Sequence, residues 1–244
     1  MQRGATISSS TKEAEEGDRL TLTVALKSAA KAKMVTLQRY QPSRYGWDAP
    51  AWNDVKTVNP RGNRRLRFAV LATEKNVERF RAVVAYKKAK PTTSRPVNIK
   101  VWRWIPLSEY DPYYETGGTT VYGTFGINGR VYKGFGPYTF SHLGSWESQF
   151  TPGRNCRAFR GVFGLDDDSD DGSSGVIAVT ADDVQVYETP PLTPGMSLEW
   201  TVQLPHPYRL GLQLRDTSPG GSEAHDEVES YPAIGDPALL CTGV

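Results

Sequence analysis

The sequence predicts an all-β protein made of two β-sandwich domains, and three observations support this prediction. Short segments in which apolar and polar residues alternate recur along the chain, which is the pattern of half-buried strands. Helix signals are almost absent, while 23 glycines and 17 prolines interrupt the 244 residues. The formal charge also changes sign: residues up to Leu107 hold 22 Lys and Arg against 8 Asp and Glu, and the rest hold 7 against 19. We therefore place the domains at residues 1–107 and 108–244.

The basic half contains six segments with a strand pattern. In residues 19–27, for example, Leu20, Leu22 and Val24 alternate with polar residues. The other five segments are residues 34–40, 55–58, 65–71, 79–86 and 96–102. Six or seven short strands in about 100 residues are typical of an immunoglobulin-like (Ig-like) sandwich. The basic half also resembles the Ig-like domains of secreted actinobacterial proteins. The residues that carry this resemblance are 16–18, 35–39, Trp52, Val55, 80–83 and 97–102.

The junction between the halves, residues 103–114, contains two prolines and a cluster of aromatic residues. A flexible linker would be rich in Gly and Ser, so we expect a short, packed junction. Strand patterns resume beyond it in six segments: residues 156–165, 176–180, 184–187, 197–204, 208–214 and 238–241. Eight or so strands over about 130 residues favour a jelly-roll β-sandwich.

The acidic half resembles the NPCBM family of carbohydrate-binding modules over residues 129–241. The strongest element is residues 156–167, an alternating strand that ends in an Asp-Asp turn. Residues 132–136 and 210–216 match shorter motifs, and His225 and Asp226 stand where the family has a His-Ala-Asp-Trp stretch. No Trp follows them here. The resemblance implies a jelly-roll fold that binds glycans.

The two cysteines, Cys156 and Cys241, both lie in the acidic half. They are either buried free thiols or one disulfide, and the even count in a helix-poor, Gly/Pro-rich chain favours the disulfide. Zinc is not expected, because no closely spaced Cys or His accompanies them. No charged segment followed by an apolar run opens the chain, so its start fits a cytosolic protein or a secreted one in mature form. We expect the secreted, extracellular form.

The acidic loop that begins after Leu165 is the densest charge cluster in the sequence. Its five carboxylates repel one another unless water or a metal ion surrounds them, and Ca²⁺ is the cation that prefers several oxygen ligands. The candidate calcium ligands are Asp166, Asp167, Asp168, Asp170 and Asp171. The loop that starts at Asp167 imitates the beginning of an EF-hand. An EF-hand is rejected, because the twelfth position of that loop is Ala178 rather than the Glu that the motif requires. A solvated acidic turn is the alternative.

A glycan site is expected on the loops of the acidic half, because strand interiors are occupied by core packing. Residues 165–175 and 217–231 are richest in groups that bind hydroxyls. The candidate ligand-binding residues are Glu223, His225, Asp226 and Tyr231, together with Trp146 and Tyr132. Tyr113, Tyr114, Tyr122 and Tyr138 are further aromatic candidates. For each ring the alternative is core packing, the commoner role of aromatic residues in β proteins.

Catalysis has little support, because the sequence lacks GxSxG, HExxH and P-loop motifs and its three histidines lie far apart. No apolar run is long enough to span a membrane. The arginines and lysines of the basic half could contact phosphates, but a secreted setting makes nucleic acid an unexpected partner. We therefore predict a non-catalytic protein that binds a glycan or cell-surface polysaccharide. The alternative is an adaptor that contacts another extracellular protein.

Overall fold

A computed structural model describes residues 4–43, 46–73, 76–138, 144–219 and 228–242 of the chain. The regular elements in these ranges are β-strands and one turn of 3-10 helix, so the predicted all-β class is confirmed. None of the helical structure in the described ranges is long and apolar enough to cross a membrane. The chain divides into two compact units, residues 1–103 and 104–244, whereas the charge pattern places the boundary after Leu107.

The first unit is built from two sheets. One has the strand order β1-β3-β6, and the other has the order β9-β7-β4-β5, with β2 added beside β9 and β8 beside β7. The strands are β1 (Ala5–Ser9), β2 (Glu13–Glu15), β3 (Arg19–Leu26), β4 (Ala32–Gln41), β5 (Ala51–Val58), β6 (Arg65–Leu71), β7 (Val77–Tyr86), β8 (Ala89–Thr93) and β9 (Val97–Pro106), whose last three residues belong to the second unit. Strand β2 runs parallel to β9.

The apolar residues of the alternating segments form the core of the first unit. Leu20, Leu22 and Val24 of β3 are buried and belong to the same apolar cluster as Phe68 of β6 and Phe80 of β7. Each such side chain contributes roughly 1.5–3 kcal/mol by leaving water. The polar residues between them face solvent, as a period of two residues requires.

The second unit is a sandwich of two five-stranded antiparallel sheets, ordered β11-β12-β19-β14-β17 and β10-β13-β18-β15-β16. Its elements are η1 (Leu107–Glu109), β10 (Tyr114–Glu115), β11 (Thr119–Ile127), β12 (Arg130–Pro137), β13 (Ser145–Phe150), β14 (Cys156–Leu165), β15 (Gly175–Ala181), β16 (Val184–Glu188), β17 (Ser197–Gln203), β18 (Leu210–Asp216) and β19 (Pro232–Cys241).

The core of the second unit includes residues of the junction. Ile105, Leu107 and Tyr110 are buried in one cluster with Phe159 and Phe163 of β14. The junction is therefore packed rather than flexible, as its aromatic composition predicts.

The predicted disulfide is present between Cys156 and Cys241. The two residues face each other where β14 begins and β19 ends. Both are fully buried, and the hydroxyl of Tyr110 donates a hydrogen bond to the sulfur of Cys241 at 3.2 Å. The bond joins two neighbouring strands of one sheet across 85 residues of sequence.

Candidate ligand-binding site

The loops at one end of the second unit meet because β14 and β19 are antiparallel neighbours. Leu165, the last residue of β14, lies opposite Pro232, the first residue of β19. The acidic loop that follows Leu165 therefore runs beside the segment that leads into Pro232. The sequence predicts a site on residues 165–175 and 217–231, and the register of the strands brings the first of these loops beside residues 228–231.

The acidic loop is tied to residues 229–231 by backbone hydrogen bonds. The amide of Asp166 donates to the carbonyl of Tyr231 at 2.8 Å, and the amide of Tyr231 donates to the hydroxyl of Ser169 at 3.0 Å. Asp170 accepts from the amide of Glu229 at 2.8 Å through its carboxylate and donates its own amide to the Glu229 carbonyl at 3.0 Å. These bonds fix the loop on the folded sheet.

A pocket of about 480 Å³ opens beside this loop. We call it the loop pocket, and its lining residues are Thr120, Gly123, Thr124, Phe125, Pro137, Tyr138, Asp166, Asp168 and Tyr231. Tyr138 is 70% exposed, whereas Phe125 is buried. The pocket thus combines aromatic surface with two carboxylates and two threonine hydroxyls.

Tyr231 is held in a fixed position at the pocket wall. Its ring lies 6.5 Å from the ring of Trp146, measured between centroids, and its hydroxyl donates a hydrogen bond to the carboxylate of Glu229. Two causes raise the pKa of Tyr231 to about 12: partial burial is the larger, and the hydrogen bond to Glu229 is the next. The phenol therefore stays protonated at neutral pH and can take part in hydrogen bonds.

The carboxyl group of Asp166 is partly withdrawn from water. This burial raises its pKa above the ordinary value, and the neighbouring carboxylates of Asp168 and Asp167 add to the rise. The carboxyl group also accepts a hydrogen bond from the amide of Asp168 at 3.1 Å, which opposes the shift. At neutral pH the ionised form is thus less favourable in the native state than in the unfolded chain.

Replacing Asp166 with Asn is expected to raise the free energy of unfolding at pH 7. A raised native pKa means that Asp166 contributes stability in its protonated form, and this contribution is lost as the pH rises through the native pKa. Asn cannot ionise, and its carbonyl oxygen can still accept from Asp168. Urea denaturation at pH 7 and at about pH 3 measures the change, which should shrink at the lower pH.

The exposed residue Asp171 provides the control, because an Asp171→Asn variant removes one charge from the same loop. An Asp166→Asn protein that is no more stable than the parent at pH 7 would contradict this interpretation of Asp166.

Three of the five calcium candidates are used as hydrogen-bond acceptors. Besides Asp166 and Asp170, the carboxylate of Asp167 accepts from the amide of Gly129 at 3.0 Å. Within the described ranges, no three side chains of the His, Cys, Asp or Glu type are grouped closely enough to hold a metal ion. Calcium binding by Asp166, Asp167, Asp168, Asp170 and Asp171 stays a prediction.

The other predicted ligand-binding residues lie in different places. Trp146 is only 3% exposed and belongs to the core, so its ring supports Tyr231 and offers no open face to a ligand. Tyr132 lies on β12 but outside the loop pocket, and it lines a separate groove. Glu223, His225 and Asp226 lie outside the described residues.

Four lining residues of β11 were absent from the sequence-based candidates: Thr120, Gly123, Thr124 and Phe125. Glycines in this strand and the next obscure the alternation that reveals strands elsewhere. The useful signal is Asn128-Gly129, where both residues have positive φ, 52° and 73°. This pair is the strongest short-range signal for a two-residue hairpin, and it predicts the pairing of β11 with β12.

No protein-family model matches the chain, and no curated protein matches it. Among solved structures, the CBM51-2 and INT domains of ZmpB from Clostridium perfringens, in complex with GlcNAc, give a TM-score of 0.44 at 15% identity, covering 68% of this chain and 38% of that chain. A superoxide reductase (neelaredoxin) from Ignicoccus hospitalis gives 0.32 at 12%, covering 40% and 79%. A chitin-binding domain from Burkholderia pseudomallei gives 0.29 at 12%, covering 37% and 56%. Similarities this low support no conclusion about the chain, and the NPCBM and Ig-like resemblances stay predictions.

Proposed function

We propose that the second unit is a non-catalytic glycan-binding domain whose ligand occupies the loop pocket. The observation that supports this proposal is the convergence of the rings of Tyr138 and Tyr231 with the carboxylates of Asp166 and Asp168 on one opening. A sugar presents an apolar C–H face that packs on aromatic rings, and its hydroxyls donate to carboxylates. Ligand sites typically combine apolar walls with a few placed polar groups in this way.

The charge of the pocket favours a neutral sugar. Asp166 and Asp168 are the charged side chains among its lining residues, and neither an arginine nor a lysine is among them. Their charges would repel a carboxylate on a ligand bound in the pocket, more strongly than in bulk water. An uncharged sugar that donates hydroxyl protons avoids this repulsion.

An extracellular location is part of the proposal. Disulfides form and persist in oxidising compartments and are rare in the cytosol, and the Cys156–Cys241 bond is buried in the core. A cell-surface polysaccharide is the partner expected in that setting.

Replacing Tyr138 with Ala is expected to weaken glycan binding by about fivefold, since loss of a stacking platform costs about 1 kcal/mol. A glycan array identifies a neutral ligand, and isothermal titration calorimetry then measures its dissociation constant. Tyr122 supplies a matched control, because it is also 70% exposed and lies on β11 outside the loop pocket. The Tyr122→Ala protein should bind as the parent does.

Two results would overturn the proposal. If Tyr138→Ala and Tyr122→Ala lose the same amount of affinity, the glycan does not bind in the loop pocket. An absence of binding across the array would favour the alternative function, an extracellular adaptor that contacts another protein.

A further inference from the structure

The outer surface of the β11-β12-β19-β14-β17 sheet carries a second concave region. Two cavities of about 740 and 440 Å³ lie on it, and they share Arg160 and Asp236 as lining residues. We call this region the sheet-face groove, and its principal residues are Trp104, Arg130, Tyr132, Arg160, Glu199 and Asp236. They include side chains of β12, β19, β14 and β17, so the groove crosses three strand spacings, roughly 14 Å.

A β-bulge places Asp236 in the groove. Arg160 of β14 lies opposite Ala238 of β19, and Val162 lies opposite Gly235, so β19 holds one residue more than its partner. Asp236 has a φ of 46° and is exposed. This left-handed conformation costs free energy for a residue other than glycine, and such bulges often redirect a side chain at a functional surface. Here the redirected group is a carboxylate.

Each of two guanidinium groups in the groove lies over an aromatic ring. The guanidinium carbon of Arg160 is 4.2 Å from the ring centroid of Trp104, and that of Arg130 is 5.4 Å from the ring centroid of Tyr132. Tyr132 in turn packs on the backbone of Gly235, where a Cβ atom would lie 2.6 Å from its Cγ. The Tyr132 ring is therefore held against the sheet, and each arginine is limited in its freedom by the ring that it covers.

These two arginines have no ion pair within the described part of the chain. Both are exposed. A guanidinium that lies on a ring keeps its N–H edge available, and that planar edge matches the two oxygens of a carboxylate. With Lys133, which lines the smaller cavity, three cations face the two carboxylates Asp236 and Glu199.

We propose that the sheet-face groove binds a glycan chain that carries carboxylates, that is, one containing uronate residues. Arg160 and Arg130 pair with the uronate carboxylates, while Asp236 and Glu199 accept hydrogen bonds from the sugar hydroxyls. The elongated opening across four strands suits a chain better than a single sugar. This site is separate from the loop pocket, whose charge is negative, and the proposal does not depend on the neutral-sugar site.

Isothermal titration calorimetry of the full chain with a tetramer of galacturonate tests the proposal, and the methyl-esterified tetramer is the uncharged control ligand. An Arg160→Gln variant should bind the galacturonate tetramer about tenfold more weakly or worse, because a charge-assisted hydrogen bond is lost. Arg209→Gln is the matched control variant, since Arg209 also lies over an exposed ring, Tyr113 at 5.5 Å, away from the groove. Arg209→Gln should bind as the parent does.

Four results would overturn the proposal. If the methyl ester binds as tightly as the acid, the protein does not recognise the carboxylate. If Arg160→Gln keeps the affinity of the parent, the ligand does not bind in the sheet-face groove. No binding of the acid at all would also reject the proposal. A Tyr138→Ala variant distinguishes the two sites. If this variant no longer binds the galacturonate tetramer, the acidic ligand binds in the loop pocket and not in the groove. Unchanged melting temperatures show that each variant is folded.

Discussion

Replacing both Cys156 and Cys241 with Ser is expected to lower the free energy of unfolding by about 4 kcal/mol. The bond closes a loop across 85 residues, and a loop of that length restricts the unfolded chain strongly. The buried serines would add to this loss, because each hydroxyl would need a hydrogen-bond partner inside the core. Chemical denaturation of the parent and the double variant under non-reducing conditions measures the difference.

The same double variant is expected to keep its ligand affinity at temperatures where it remains folded. Strand β14 has ten residues from Cys156 to Leu165 inclusive, so the disulfide and the loop pocket lie roughly 30 Å apart along it. Intact mass after thiol alkylation verifies the bond in the parent protein. Two alkylated cysteines in the unreduced parent, or equal free energies of unfolding of the parent and the double variant, would contradict the expected stabilisation by the disulfide.

Much of the fold follows from the period of two residues. Segments such as β3 and β6 alternate cleanly because one face is buried and the other is solvated, and the structure places both as predicted. The segment of β14 is also predicted with its observed bounds, Cys156 to Leu165. Burial on one face leaves a direct trace in the sequence.

Strands that hold many glycines leave a weaker trace. β11 and β12 contain closely packed positions where side chains would collide: a Cβ atom at Gly134 would lie 2.3 Å from the carbonyl oxygen of Ile234. Close packing therefore requires glycine at these positions, and glycine does not contribute to a visible alternation of apolar and polar residues. As a result, the sequence points to the acidic loop and Tyr231 but misses Phe125 and the threonines beside it.

The sheet-face groove depends on pairing that no local pattern shows. Gly235-Asp236-Pro237 interrupts an apolar run near the end of the chain, but its role as a bulge follows only from the register of β19 against β14. Similarly, Arg160 and Trp104 are far apart in sequence and meet through the sheet. Contacts of this kind require the tertiary structure.

Replacing Trp146 with Ala is expected to lower the free energy of unfolding by about 3–5 kcal/mol, the usual range for truncating a buried aromatic residue. Trp146 lies on β13 opposite Leu214 of β18, and both are in the core cluster of the second unit. Truncation leaves a cavity beneath the loop pocket that the two sheets can fill only in part. Chemical denaturation of the variant measures the loss.

Trp200 is the control that separates a core ring from a surface ring. It is 49% exposed and stacks on Tyr187 with centroids 6.3 Å apart, so Trp200→Ala should cost only about 1 kcal/mol. The backbone of Tyr231 is held by Asp166 and Ser169 independently of Trp146, so the folded Trp146→Ala protein should lose less glycan affinity than Tyr138→Ala. A Trp146→Ala protein with the stability of the parent but no glycan binding would make Trp146 a ligand contact and would contradict its place in the core.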